Sequence, residues 1–284
     1  MKKLSTKGII IRRIEYGEAD LIITFITQKY GKISAIAKSA KKSIKRFGPI
    51  LELFSELEII LHQGQGSRPL ILEEASVVKA FNHIRSNYIS TAYACYWSEI
   101  IYSWFEERHD QSSLYYLLKN VLQLLNDHLS GYIYDQMSDK MSDKMSGHIP
   151  GKSYYSPDIL SILFQMRFLV ESGFSPNLNK CDTCKTKLDD INNFRIQFDP
   201  KKGSIICSKC CGLANNLIPL SKGTIKQLIW VSKGNIEIAS RIRFASKNIS
   251  EGLYFLESFL PYCLDKQPKS LSFLKKIRKI RECN

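Results

Sequence analysis

The sequence predicts a multidomain protein: a small N-terminal β-barrel followed by a helical domain with a metal-binding segment. Three observations support this fold class. The first eighty residues hold five short runs rich in β-branched residues, with no long helical pattern between them. From Phe81 onward, apolar residues recur at spacings of three and four, which is typical of helices. Four of the eight cysteines form two C-x-x-C pairs. We therefore expect domains over residues 1–80 and 81–284.

Five runs of residues make up the predicted barrel. The first three are G-I-I-I-R-R, L-I-I-T-F-I-T and K-I-S-A-I-A-K, with Gly17 and the pair Tyr30-Gly31 at the turns between them. In the third run apolar and polar residues alternate, as in a strand with one buried face. Two further runs, residues 57–62 and 69–75, flank a G-Q-G-S hairpin loop. Five such short strands favour a closed barrel, with an open meander as the alternative.

Helical patterns cover most of the remaining chain. Ser156 and Pro157 are typical of a helix start, with serine as the cap and proline in the first turn, and Gly173 is a plausible end of that helix. A polar stretch over residues 136–152 contains M-S-D-K twice in tandem, and we expect it to be a flexible insertion. The other predicted helices cover residues 86–107, 112–129, 222–231, 235–246, 249–264 and 270–281, and the cysteine-bearing segment covers residues 178–214.

The two C-x-x-C pairs predict a metal site. Cys181 and Cys184 form the first pair, and Cys207 and Cys210 follow after twenty-two intervening residues. Two such turns joined by a β-hairpin direct four sulfurs at one point, as in a structural Zn²⁺ site with no position open for water. Zinc would stabilise this segment, which has almost no core of its own, by about 10 kcal/mol. Disulfides and a redox dithiol are alternatives, and Cys211 could replace Cys210.

The charge balance predicts a polyanionic partner. The chain has 41 Lys and Arg against 27 Asp and Glu, a net charge of +14. The charge is clustered, with five cations and no acid between Lys38 and Arg46 and a second basic cluster over residues 269–284. Such clusters favour DNA or RNA over a basic protein without such a partner. No apolar run is long enough for a membrane span or a signal peptide, so we expect a cytoplasmic protein without a membrane partner.

The sequence offers no sign of an active site. It lacks a phosphate-binding loop, an H-E-x-x-H motif and a G-x-S-x-G motif, and its five histidines are scattered. We expect no enzyme, although a site assembled from distant residues is an alternative. The acids Glu15, Glu18 and Asp20 in the first hairpin could bind a metal, but turn-forming and solvated acids are commoner.

Residues 7–43 place a Lys-Gly pair before the first predicted strand, E-x-D in the first turn, T-x-x-x-G before the third strand and a basic stretch after it. In this pattern they resemble the RecO family of bacterial recombination mediators. A G-F-x-P segment ahead of the cysteine cluster is similar as well, and the order of barrel, helices, cysteine segment and helices matches. The chain departs from the family at Ser39, where glycine is frequent, and in the tandem M-S-D-K insertion. The matching positions are Lys7, Gly8, Glu18, Asp20, Thr27, Gly31, the basic residues from Lys38 onward, Gly173, Phe174 and Pro176.

The resemblance implies an OB-fold N-terminal domain and a non-catalytic role in recombinational repair. RecO-like proteins bind single- and double-stranded DNA, anneal complementary strands and help to load RecA onto strands coated by single-strand binding protein (SSB). They act with RecR, contact the acidic SSB tail, and meet RecF and RecA at most indirectly, which implies a nucleoid-associated location. An alternative is a zinc-ribbon nucleic-acid binder in transcription or translation.

An OB barrel binds single strands with a basic groove, so its cations are the expected phosphate contacts. Phosphate contacts are independent of sequence, and binding should weaken steeply with salt. For the SSB tail, the stretch from residue 269 onward offers cations and four apolar residues predicted on one face: Phe273, Leu274, Ile277 and Ile280. The alternative for this stretch is a solvated amphipathic helix packed on the core. The candidate DNA-binding residues are Arg12, Arg13, Lys38, Lys41, Lys42, Lys45 and Arg46.

Overall fold

The computed structural model divides the chain into two compact units. One comprises Met1–Met141 together with Ser272–Asn284, and the other comprises Ser142–Leu271. Domains over residues 1–80 and 81–284 stay a prediction. The structure describes residues 3–43, 47–63, 69–104, 111–139, 156–191, 196–211, 216–233 and 244–283.

The first unit contains a closed five-stranded barrel, as predicted, and not an open meander. Its strands are β1 (Lys3–Tyr16), β2 (Asp20–Thr27), β3 (Gly31–Ala37), β4 (Glu56–Gln63) and β5 (Leu70–Lys79). The strand order is β1-β2-β3-β5-β4, and β4 closes the barrel by pairing with β1. The β3–β5 pair is parallel and the other pairs are antiparallel, which gives a barrel of the OB type.

Apolar side chains from all five strands fill the barrel. Gly8 shows how tightly β1 approaches its neighbours. A Cβ atom at this position would lie 3.3 Å from Phe25 Cβ and from Thr27 Cγ2. Glycine at this position inside β1 therefore reflects a steric requirement of the barrel wall.

Seven helices lie in the described ranges, and the predicted start of α4 is confirmed. The Ser156 side chain accepts a hydrogen bond from the backbone N–H of Asp158, and Pro157 is the first helical residue. Gly173 has a φ of 79° and follows the helix end. Most of the predicted helix over residues 235–246 and of the insertion over residues 136–152 lies outside the described residues. The helices are α1 (Asn82–Ser86), α2 (Tyr88–Trp104), α3 (Ser112–Asp139), α4 (Pro157–Glu171), α5 (Lys222–Val231), α6 (Ser246–Leu264) and α7 (Lys269–Cys283).

A buried carboxylate joins the barrel to α3 within the first unit. The Glu56 side chain is 1% exposed and lies 2.8 Å from the ammonium group of Lys119. The same carboxylate oxygen accepts a hydrogen bond from the Tyr115 hydroxyl. Burial and this hydrogen bond raise the pKa of Tyr115, so the phenol remains a donor. Two partners on α3 thus compensate one buried charge of β4.

The second unit sets a small sheet against helices. Strands β6 (Ile196–Asp199), β7 (Ser204–Cys207) and β8 (Ile218–Leu220) form this sheet in the order β7-β6-β8. Phe198 of β6 packs edge-on against two phenylalanines of α6, with ring centroids 4.8 Å apart in each pair. The cysteine segment thus gains much of its apolar packing from α6. None of the helices in the described ranges combines the length and apolar character needed to cross a bilayer.

Candidate metal centre and nucleic-acid interface

The four predicted cysteines form one cluster in the second unit. The Sγ atoms of Cys181, Cys184, Cys207 and Cys210 all lie within 4.8 Å of one another. Cys181 and Cys207 are buried, and Cys184 is exposed. The four thiols are free, so disulfides within the cluster are absent from this structure.

Two tight turns direct the sulfurs at one point. In the first turn, the backbone N–H of Lys185 donates to the Cys181 carbonyl (3.0 Å), and Lys185 has a φ of 58°. In the second turn, the N–H groups of Cys210 and Cys211 both donate to the Cys207 carbonyl at 3.0 Å. The Cys207 N–H also donates to the Cys181 sulfur at 3.3 Å, which ties the two turns together.

The cluster has the dimensions of a tetrahedral zinc site. Zn–S bonds of about 2.3 Å in a tetrahedron separate the sulfurs by about 3.8 Å. The Cys184 and Cys207 sulfurs are 3.7 Å apart. Cys211 is not part of the four-sulfur group. The residues present therefore fit a metal ion held by four thiolates.

Electrostatics also favour a cation at the cluster. Hydrogen bonding from Thr186 lowers the pKa of Cys184 to about 6. Hydrogen bonding with Cys184 and with Cys207, followed by burial, raises the pKa of Cys210 to about 12. Thiolates this close together repel one another. Four thiolates need a metal ion to balance that repulsion.

The basic loop after β3 is fastened to the first hairpin by acidic residues. The Asp20 carboxylate accepts a hydrogen bond from the Ser39 N–H at 2.7 Å, and the Lys41 N–H donates to the Ala19 carbonyl at 2.9 Å. The Lys41 ammonium group lies 2.7 Å from the Glu15 carboxylate. Two of the three hairpin acids therefore position the loop.

Ser39 keeps the backbone conformation that glycine favours. Its φ is 55°, in the left-handed region. The hydrogen bond from Ser39 to Asp20 helps to hold the strained residue.

The predicted phosphate-binding residues differ in whether they already form ion pairs within the protein. Lys38 and Lys42 are exposed, and neither forms an ion pair within the described part of the chain. Lys41 is paired with Glu15, and Arg13 lies 3.0 Å from Glu52. Lys45 and Arg46 lie outside the described residues.

Arg12 contacts an aromatic residue that no sequence pattern indicated. Its guanidinium carbon lies 4.4 Å from the ring centroid of Tyr102 on α2, and the guanidinium donates to the Tyr102 hydroxyl. The Lys32 ammonium group lies 5.0 Å from the same ring and donates to the Tyr102 carbonyl at 2.7 Å. These contacts anchor the barrel to α2. The paired residues are 70 to 90 positions apart in the chain, so no local sequence motif predicts them.

The four apolar residues predicted on one face of the C-terminal helix do not form one continuous exposed surface. Leu274 and Ile277 of α7 are buried, whereas Phe273 and Ile280 are 59% and 57% exposed. The Arg278 guanidinium donates to the Tyr93 hydroxyl at 2.9 Å and fixes the helix against α2. The apolar residues therefore divide between a core face and a solvent face.

Comparisons with known proteins agree with these features. The family model described as "Recombination protein O N terminal" matches residues 1–81, and the model "Recombination protein O C terminal" matches residues 85–134 and 148–272. The interval between the two parts of the second match contains the tandem M-S-D-K repeat.

Curated relatives match over nearly the whole chain. A DNA repair protein RecO of Desulfatibacillum aliphaticivorans is 40% identical over 98% of this chain and 99% of its own length. A second, from Desulfosudis oleivorans, is 36% identical over the same shares of the two chains. A third, from Syntrophus aciditrophicus, is 28% identical over 97% of this chain and 96% of its own. The chain belongs to the RecO family of DNA repair proteins, whose role is in recombinational repair.

Proposed function

We propose that the protein is a non-catalytic recombination mediator. It binds single- and double-stranded DNA without sequence preference, anneals complementary strands and helps to load RecA onto SSB-coated single strands. One observation carries the proposal: in a chain of the RecO family, exposed Lys38 and Lys42 lie on a loop fastened to a closed OB-type barrel. Phosphate contacts fix a strand without reading its bases, which accounts for the lack of sequence preference.

The basic loop supplies the strand contacts in this proposal. Lys38 and Lys42 contact phosphates first, because they are exposed and need not break an ion pair with a described residue. Lys41 and Arg13 contribute if phosphate displaces Glu15 and Glu52, and such exposed pairs are worth little. Neutralised phosphates allow a second strand to approach, which is the basis for annealing. Arg12, Lys45 and Arg46 complete the proposed set.

Cys181, Cys184, Cys207 and Cys210 hold one structural Zn²⁺ in the proposal. Zinc supplies charge balance and cross-links the two turns. With four thiolate ligands no coordination position remains for water, so the site has no hydrolytic role.

The proposed protein partners are RecR and the acidic SSB tail, with RecF and RecA engaged indirectly. The exposed face of α7 fits an acidic peptide that has apolar residues. Phe273 and Ile280 are seven residues apart on this face, and Lys276 lies between them at helical spacing. Pulldown with an SSB-tail peptide, compared between the parent and a Phe273→Ser/Ile280→Ser variant, tests this contact.

Annealing of complementary strands precoated with SSB, without nucleotide, tests the proposed function. The parent should accelerate annealing, and Lys38→Glu/Lys42→Glu should lose most of that acceleration. Absence of annealing by the parent, together with tight binding to structured RNA, would instead indicate a zinc-ribbon factor in transcription or translation.

A further inference from the structure

A basic groove of about 600 Å³ lies in the second unit, between the first cysteine turn and α5. Three lysines line it, Lys180, Lys187 and Lys226, together with Asn177 and Asn179. These side chains offer ammonium and amide donors, and Ile229 and Leu188 add apolar surface. Its composition suits a ligand that carries repeated negative charges and flat apolar parts.

The two lysines on the cysteine side are placed next to each other by the backbone. Lys180 and Lys187 form an antiparallel β-bridge. Hydrogen bonds frame it, from the Cys181 N–H to the Thr186 carbonyl (2.9 Å) and from the Leu188 N–H to the Asn179 carbonyl (2.8 Å). Residues opposite each other in such a pair direct their side chains to the same side. Both lysines are exposed, and within the described part of the chain neither forms an ion pair.

The opposite wall carries a cation, and an exposed aromatic ring lies on the same helix just beyond the lining residues. Lys226 and Trp230 are four residues apart on α5 and therefore share one face of the helix. Trp230 is 42% exposed. The helix end is held in place because the Arg167 guanidinium donates to the carbonyls of Val231 (3.0 Å) and Lys233 (2.8 Å). The indole is thus presented to solvent from a fixed element.

One carboxylate lines the groove and competes with an anionic ligand. Asp189 lies 2.7 Å from the Lys226 ammonium group, and their side chains are 76% and 57% exposed. An ion pair this exposed contributes little to stability, so a phosphate can replace the carboxylate. With three lysines against one aspartate, the lining is net positive.

We propose that this groove is a second binding surface for single-stranded nucleic acid, with phosphates on Lys180, Lys187 and Lys226 and a base stacked on Trp230. The combination of a cationic track and an aromatic platform is what binds single strands without sequence preference. The inference rests on the proposed strand-binding function and deepens it. It assigns a strand contact to the cysteine-bearing unit, separate from the barrel loop, and annealing requires that two strands be held.

A charge-reversal variant of the full-length protein tests the groove. Lys180→Glu/Lys187→Glu is compared with Lys201→Glu/Lys266→Glu, a control with the same charge change at exposed lysines of the same unit outside the groove. Anisotropy of a labelled oligothymidine is measured across a salt series. The slope of log K against log salt should fall by about 1.4 in the groove variant, because each phosphate contact on a single strand contributes about 0.7. The control should retain a steeper slope than the groove variant.

Tryptophan fluorescence gives an independent measurement. Of the three tryptophans, Trp97 is buried, Trp104 is half-buried and Trp230 is exposed, so oligothymidine bound in the groove should quench chiefly the emission of Trp230. Trp230→Phe should lose most of the quenching while metal content and melting temperature stay at parental values. Asp189→Asn should bind oligothymidine more tightly, because the competing carboxylate is removed.

The outcomes separate the two proposals. If the parent does not bind oligothymidine at all, the proposed function fails. If the parent binds but the groove variant matches its control and Trp230→Phe keeps the quenching, the groove proposal alone is overturned. Selective loss of binding to an acidic peptide, with strand binding intact, would also overturn it.

Discussion

Two adjacent cysteines provide a matched pair of variants for the metal site. Cys210 belongs to the four-sulfur cluster, and Cys211 does not, although both backbone N–H groups donate to the Cys207 carbonyl. We expect Cys210→Ser to lose the bound metal and Cys211→Ser to keep it. The two variants have the same composition, so a difference in their metal content depends only on which of the two thiols was removed.

The expected loss of stability in Cys210→Ser follows from the binding free energy of the metal and from the packing of the cysteine segment. With free metal at about 1,000 times the Kd, binding stabilises the folded state by about 4 kcal/mol. For a unit of this size, that corresponds to a melting temperature about 10 °C higher. Phe198 remains packed against α6, so we expect Cys210→Ser to stay folded at 25 °C with its melting temperature lowered by that amount.

Metal analysis and thermal unfolding measure both parts of this prediction. The parent and Cys211→Ser should each carry one zinc per chain, and a chelator should lower their melting temperatures toward that of Cys210→Ser. Retention of zinc by Cys210→Ser together with its loss from Cys211→Ser would refute the assignment of the fourth ligand. Equal melting temperatures with and without metal would refute the stabilising role.

Further predictions concern stability and pH. Phe198→Ala should lower the free energy of unfolding by about 3–5 kcal/mol, measured by denaturant titration, because a fully buried ring is removed. Lys119→Met should cost about 3 kcal/mol and Lys119→Arg much less, because the buried Glu56 carboxylate loses its ion-pair partner only in the former. Ser39→Gly should raise thermal stability by about 1 kcal/mol and Ser39→Val should lower it, because φ is positive there. Zinc affinity, measured by chelator competition, should fall as the pH is lowered, because protons compete for the thiolates.

Local signals in the sequence were sufficient to predict the barrel strands and the cysteine cluster. Gly17 and Gly31 adopt φ values of 60° and 62° at the first two turns. Glycine is favoured in this left-handed conformation, so the two glycines indicate where the chain turns. The C-x-x-C spacing determines a tight turn by itself. Such features depend on residues close together in the chain, which is why the pattern alone indicates them.

Long-range pairings were not predictable in the same way. Nothing near Tyr102 or Tyr115 indicates that they contact Arg12 and Glu56. The net charge likewise did not reveal that Lys41 is paired with a hairpin acid. These contacts arise when helices pack on the closed barrel, so they follow from tertiary structure and have no local signature. β8 was missed because it has only three residues, one of them a proline.

The salt dependence of single-strand binding tests the central claim, that the loop on the barrel contacts phosphates. Lys38→Glu/Lys42→Glu is compared with Lys29→Glu/Lys79→Glu, which changes the charge equally at exposed lysines outside the loop. We expect the slope of log K against log salt to fall by about 1.4 in the loop variant and to stay steeper in the control. An unchanged slope and affinity in the loop variant would contradict the account.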